Sequence, residues 1–303
     1  MVKYPKKMKS DSVIYSCFGK SIKIGLPFPS QHINLKFWLE RFCPGIVEDI
    51  NSKAFDYQID CSTYIQNKYR VISENSIILY SSWDYDYSSF LAKFVTQVFQ
   101  RLLNTNGLYI IPCACVTKNG KAVLFIGDYW QGKTSVALNT FKLDKEVEIV
   151  SDNYVIIKNN KVLCGTKYLS LREENITRYK SIINTNSIKI VNARKYFEYN
   201  NSKKQGEIVG FIIPYINIGD DNFHIVSNEE AIWYLYQKLS NIIKGDTVLF
   251  NGQYPSPNLD NKTLSINRLK YINRLLTKSK LFYSSSNIDK ISTYTLQILQ
   301  GEI

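Results

Sequence analysis

The stretch FIGDYWQGKTSVAL, residues 125–138, constrains this chain more than any other. Gly127, four residues, and then Gly132-Lys133-Thr134 complete the pattern G-x-x-x-x-G-K-[ST]. Chance produces that pattern in on the order of one such chain in a hundred, so its flanks decide what it is. An apolar run, AVLFI, precedes it, and a helix-compatible segment, TSVALNTF, follows. A strand that turns through glycines into a helix gathers backbone N–H groups and the positive helix end at one spot, which suits phosphate oxygens. In that geometry Lys133 neutralises β- and γ-phosphate charge, and the Thr134 hydroxyl ligates Mg²⁺. Gly127, Asp128, Gln131, Gly132, Lys133, Thr134 and Ser135 are therefore the expected contacts of a nucleotide, ATP with Mg²⁺. Tyr129 and Trp130 stand where small residues would let the backbone approach the phosphates. Because amides do the binding, rings that point outward are tolerable there, over the nucleotide or toward a substrate; the alternative is a loop with a weakened grip.

Asp152 is the next chemical feature. It lies in EVEIVSDN, a strand reading that ends in polar residues. A carboxylate at a strand end beside a phosphate loop has two uses: holding Mg²⁺ directly or through water, and accepting a proton from an attacking hydroxyl. The plain alternative is that Ser151-Asp152-Asn153 starts a turn.

The rest of the chain reads as strands, turns and a few amphipathic helices. SVIYSCFGKSIKIGL alternates around Gly19 as a hairpin, and SIILYSS is a strand. From Ser88 to Leu103 apolar residues recur at helical spacing, with the aromatic WDYDYSS placed to start that helix. LYIIPCACV, a turn at Asn119-Gly120, and VLFIG read as strand, hairpin turn and strand. YVIIKNNKVL turns at Asn159-Asn160. EIVGFIIPYINIG and NFHIV are apolar strands. Ser227 and Glu230 form a capping box for a helix that Gly245 can end. A last amphipathic helix, LSINRLKYINRLLTKS, carries Arg268, Lys270, Arg274 and Lys278 on what reads as one solvated basic face, with docking of an acidic partner as the alternative. EYNNSKKQGE, residues 198–207, is the expected flexible loop.

In order, strand, hairpin, strand, phosphate loop, helix and a strand ending in Ser-Asp-Asn resemble the HPr kinase/phosphorylase family, whose nucleotide-binding core is shared with PEP carboxykinase. GDYWQGKTSVAL is similar to the family loop at Gly127, Asp128, Gly132, Lys133 and Thr134, and IVSDNYVII to the strand that normally ends in two aspartates. GTKYLSLREENI resembles a downstream Leu-x-Leu-Arg stretch that places Arg172 near the site. HIVSNEEAIWYL and LFYSSSNIDKISTYTLQIL resemble the closing helix and strand–helix. The resemblance covers roughly residues 105–303 and implies an α/β fold (an α+β mixed sheet) with an HPr-kinase/PEP-carboxykinase-like core. The smaller N-terminal α+β region, 1–104, is expected to orient the substrate.

The activity implied is transfer of phosphate from ATP to a serine hydroxyl of a peptide or small protein. Asp152, Lys133 and Arg172 would be catalytic, and Thr134, Asp152 and Asn153 would hold the metal. Members of this size and layout, the lasso-peptide kinases, phosphorylate a precursor peptide of a ribosomally made natural product. The resemblance leaves a homo-oligomer open. Three departures stand out: Pro112 where the family has a histidine before the hairpin, Asn153 for the second aspartate, and Tyr129-Trp130 for small loop residues. They motivate one alternative, a nucleotide-binding sensor or scaffold without transfer. A P-loop kinase of small molecules is another.

Composition narrows the partners. The net charge of +12 favours acidic ones, such as a nucleotide, an acidic peptide or nucleic acid, although base-composition bias toward lysine gives the same number. No nucleic-acid recognition motif accompanies it. Six cysteines without a C-x-x-C pair, and two distant histidines, His32 and His224, argue against a zinc site or a Cys–His nucleophile. Cys113 and Cys115 point to one face of a strand, which is poor geometry for a bridge. The N-terminus lacks the apolar stretch of a signal peptide, and no run approaches a membrane span, so the expected place is the cytoplasm.

Overall fold

The Phe18-Gly19 turn sets the register of the first sheet. Both residues take left-handed φ, 46° and 76°, which matches the turn's twist to that of its strands. The turn joins β1 (Asp11–Cys17) to β2 (Lys20–Leu26) in antiparallel pairing, as the alternation predicts. Then come α1 (Gln31–Phe42), β3 (Val47–Glu48), β4 (Tyr57–Thr63), β5 (Lys68–Ser73), β6 (Ser76–Ser81) and α2 (Ser88–Asn104). The strands form a mixed sheet in the order β3-β1-β2-β4-β6-β5. The apolar stripe of α2 is its reason for folding: Phe94, Val95, Val98, Phe99 and Leu103 are fully buried.

This computed structural model describes residues 11–28, 31–83, 88–179, 189–191, 194–198, 204–219, 221–244, 248–249 and 254–303. The chain divides into two compact units, Met1–Asn106 with Asn241–Asp260, and Gly107–Ser240 with Asn261–Ile303. The expected helix start in WDYDYSS falls largely on residues 84–87, outside the described residues, as does Gly245.

The second unit begins with β7 (Leu108–Pro112), β8 (Ala114–Lys118), β9 (Lys121–Phe125) and α3 (Lys133–Leu143). It continues through β10 (Glu148–Ser151), β11 (Tyr154–Lys158), β12 (Lys161–Gly165), β13 (Tyr168–Arg172) and α4 (Glu173–Tyr179). Next are β14 (Lys189–Val191), β15 (Arg194–Glu198), β16 (Gly206–Ile216), β17 (Asn222–Ile225) and α5 (Asn228–Lys244). Two short strands, β18 (Val248–Leu249) and β19 (Tyr254–Pro255), belong to the returning segment of the first unit, and the second resumes with α6 (Lys262–Leu276), β20 (Lys280–Ser286) and α7 (Ile288–Gln300). Ser227 caps α5 with Glu230, as expected.

At the centre of this unit β9, β16 and β20 run parallel, so their C-terminal ends share one edge. One face of the sheet buries Leu124, Ile126, Phe211 and Leu281 against Leu235 and Leu239 of α5 and Ile272 and Leu275 of α6. The other buries Val123, Phe125, Ile212 and Phe282 against Val136 of α3 and Ile291 and Ile298 of α7. Each such side chain contributes about 1.5–3 kcal/mol of burial. A separate three-stranded sheet, β13-β15-β14, packs Leu169, Leu171 and Phe197 on Leu138 of α3. Helices on a mixed sheet beside small antiparallel sheets make the chain a mixed α/β, α+β protein.

Three expectations need correction or completion. LYIIPCACV is two strands, not one. Pro112 has no N–H to donate, Cys113 donates instead to the Asn153 carbonyl at 2.9 Å, and the chain changes partners from β11 to β9 and β10. Cys113 and Cys115 nonetheless lie in one buried cluster, and all six cysteines are free and buried. The basic face of α6 lacks Arg268, which is fully buried, while Lys270, Arg274 and Lys278 are exposed. Arg268 shares the stripe of Leu264, Tyr271 and Leu275, and helical period puts it inside. Of the expected loop 198–207, residues 199–203 lie outside the described residues, Glu198 ends β15 and Gly206 begins β16. Among the described residues no helix is long and apolar enough to cross a membrane.

Candidate phosphate-binding site

Strand β9 is held to β16 through Phe125, and the Ile126 N–H still donates to the Ile212 carbonyl at 2.9 Å. The chain then leaves the sheet at Gly127 and re-enters regular structure at Gly132, the N-cap of α3. Gly132 sits at φ 87°, and a Cβ there would lie 2.3 Å from Ile216 Cδ1. The left-handed φ favours glycine, and a Cβ would also oblige the exposed Ile216 side chain to shift. The loop is tied internally by the Asp128 N–H, which donates to Gln131 Oε1 at 2.8 Å. Trp130 is held at φ 74°, a conformation that aromatic residues rarely adopt. Tyr129 and Trp130 point outward, 85% and 77% exposed.

Lys133 folds over this loop, donating to the carbonyls of Gly127 (3.1 Å) and Asp128 (2.6 Å). Burial holds its pKa below the usual lysine range, and the nearby Lys238 ammonium adds to the effect. One residue on, the Thr134 hydroxyl donates to Asp152 Oδ1 at 3.1 Å. Asp152 is buried in the two-residue link between β10 and β11, and its Oδ2 accepts from the Ser170 N–H at 2.6 Å. The carboxylate is thus fixed at both oxygens, with one facing the first turn of α3. Asn153 anchors the same link through its backbone, donating to Ser151 Oγ and accepting from Cys113. The Ser135 carbonyl accepts from the Tyr179 hydroxyl at 3.2 Å. Arg172, at the end of β13, lies over the Trp130 ring, 3.7 Å from its centroid.

Lys133, Thr134 and Asp152 are therefore brought together. Asp128 and Gln131 serve the loop's own shape, and Arg172 reaches it through Trp130. Three further residues were not found in the sequence. Lys238 of α5, buried, donates to Asp128 Oδ1 at 2.6 Å and lies over Tyr234. Its hydrogen bond holds the Asp128 carboxyl below the usual carboxylate range. Ser170 orients Asp152, and Arg194 donates to Ser170 Oγ at 3.3 Å. A lysine between the buried Leu235 and Leu239 was a readable signal for Lys238. Ser170 and Arg194 carry none, because β13 and β15 meet only in three dimensions.

Among the described residues no three His, Cys, Asp or Glu gather as a metal site. Thr134 with Asp152 is a donor set of the kind Mg²⁺ uses when phosphates and water complete its shell. No protein-family model matches this chain, and a search of curated proteins finds no match.

Proposed function

We propose that this chain is an ATP-dependent kinase that transfers the γ-phosphate to a serine hydroxyl of a peptide or small protein, on an HPr-kinase-like core. The observation that carries the reading is the 3.1 Å approach of Thr134 to a buried, doubly anchored Asp152 at the start of the helix that follows the phosphate loop. Lys133 is poised on the loop carbonyls and would turn to the β- and γ-phosphates. Mg²⁺, held by Thr134 and through water by Asp152, would supply neutralisation of phosphate charge. Asp152 Oδ1 would accept the serine proton, with Oδ2 fixed by Ser170 so that the carboxylate does not rotate away. Catalysis then rests on positioning and charge, which is most of what phosphoryl transfer asks of a protein. A precursor peptide of a ribosomally made natural product is the acceptor that the sequence resemblance favours.

The test is incubation with γ-labelled ATP and Mg²⁺, using as acceptor the peptide encoded nearest the gene, with Lys133→Ala as control. Label on serine that disappears in the control supports the kinase. ATP binding without label on any peptide moves the reading to a nucleotide sensor. That second reading has its own motive: Pro112, opposite Tyr154, offers no acid–base group on β7.

A further inference from the structure

The small sheet beside the phosphate loop contains an electrostatic oddity. Arg172 of β13 and Arg194 of β15 are directly opposite each other in antiparallel register. Residues so paired project to the same face, a few ångströms apart, and like charges there repel. Neighbouring acids do not relieve them: Glu173 pairs with Lys195 and Glu198 with Lys167. Among the described residues neither arginine forms an ion pair. Both are half-buried, so water screens them incompletely.

Each guanidinium is also tied to the loop's chemistry by a separate contact. Arg172 is stacked on Trp130, which the loop holds at positive φ. Arg194 donates to Ser170 Oγ, and the Ser170 N–H donates to Asp152. One planar fork is thus stacked on the loop's Trp130, and the other is linked through Ser170 to the residue that faces Thr134. A structure that opposes two arginines and orients both has a use for an anion between them, and guanidinium forks match oxyanions bidentately.

We propose that Arg172 and Arg194 together bind a second oxyanion beside the phosphate loop, either the terminal phosphate of the nucleotide or an acidic group on the acceptor. The inference rests on reading residues 127–134 as a phosphate loop. Arg194 is a binding residue in this account: its guanidinium contacts the oxyanion, and its bond to Ser170 Oγ orients it.

The experiment uses the full chain as wild type, Arg194→Gln and Arg194→Lys, probed with ATP, ADP and inorganic phosphate. Binding is read by tryptophan fluorescence, since exposed Trp130 under Arg172 responds to a change at that guanidinium, and by melting temperature. In phosphate-free buffer Arg194→Gln is expected to be as stable as wild type or more so, because it removes a like-charge pair. Phosphate should bind ADP-loaded wild type and raise its melting temperature. Arg194→Gln should weaken that binding about tenfold, the size of one lost charge-assisted hydrogen bond, and Arg194→Lys should fall between.

The source of the anion separates in the nucleotide arms. If it is the terminal phosphate, Arg194→Gln loses ATP affinity and keeps ADP affinity. If it is the acceptor, both nucleotides bind as in wild type and only added phosphate is weakened. Wild-type behaviour of Arg194→Gln toward all three probes overturns the proposal. So does loss of folding in Arg194→Gln without anion, because that makes the arginine structural. Should wild type bind no nucleotide, the phosphate loop reading falls. The phosphate titration of the unliganded wild type against Arg194→Gln then still decides the arginine pair.

Discussion

Strand β9 has a glycine-containing turn at each end, and the two turns differ in what they ask of glycine. At its start, Asn119 and Gly120 take φ 51° and 75°, and a Cβ on Gly120 would meet nothing within 4 Å. At its exit, Gly132 takes φ 87°, and a Cβ would strike Ile216. The first turn only reverses the chain. The second is pressed against the end of β16, encloses a lysine ammonium, and begins a helix whose first turn meets a buried carboxylate. The first turn uses glycine for its dihedral alone; the second uses it for the dihedral and, in addition, packs it on the Ile216 side chain.

Experiments can break or sharpen that contrast. The largest effect is expected from Asp152→Asn, which should lower phosphate transfer roughly 10²–10⁴-fold, the usual contribution of a general base, while ATP affinity stays within a few-fold. Full activity in steady-state assays of this variant would remove Asp152 from the proton transfer. Gly132→Ala comes next: strain at positive φ and the clash with Ile216 should reduce ATP binding at least tenfold by calorimetry. Gly120→Ala should cost about 1–2 kcal/mol in denaturant unfolding and leave ATP affinity unchanged. Equal effects of the two alanine variants on binding would erase the distinction between the turns.

Smaller effects test the tether of the loop. Asp128→Asn leaves the buried Lys238 ammonium without its carboxylate and should cost about 1–3 kcal/mol. Lys238→Met removes the buried charge as well and should cost less than about 1 kcal/mol, since Asp128 is itself largely exposed. The reverse order in chemical denaturation would mean that Lys238 matters through packing. The pair is also pH-dependent. Asp128 has a lowered folded pKa, so its stabilisation is complete above the ordinary value near 3.8 and disappears as pH falls through the lower folded value. Lys238→Met should return the Asp128 titration, followed by NMR, toward 3.8.

Much of this was legible in order along the chain. The G-x-x-x-x-G-K-T spacing, the Phe18-Gly19 and Asn119-Gly120 turns, the stripe of α2 and the cap of α5 are local signals, and each has its structural counterpart. What was not legible is of two kinds. Some positions obey a local rule: Arg268 falls at helical period in the apolar stripe of α6, and Pro112 breaks an apolar run. Others have no local rule. Lys238 reaches Asp128 across 110 positions, and Arg194 faces Arg172 only because β13 and β15 pair. Burial and strand register, not residue type, place these groups at the site.

The six free, buried cysteines divide evenly between the two units: Cys17, Cys43 and Cys61 in the first, Cys113, Cys115 and Cys164 in the second. Burial pushes the thiols of Cys61, Cys113 and Cys115 well above their ordinary pKa, so they resist alkylation while the protein is folded. The chain therefore carries its own unfolding reporters. Pulsed thiol labelling with peptide mapping would time the opening of each unit separately, with no added probe and no background from the native surface.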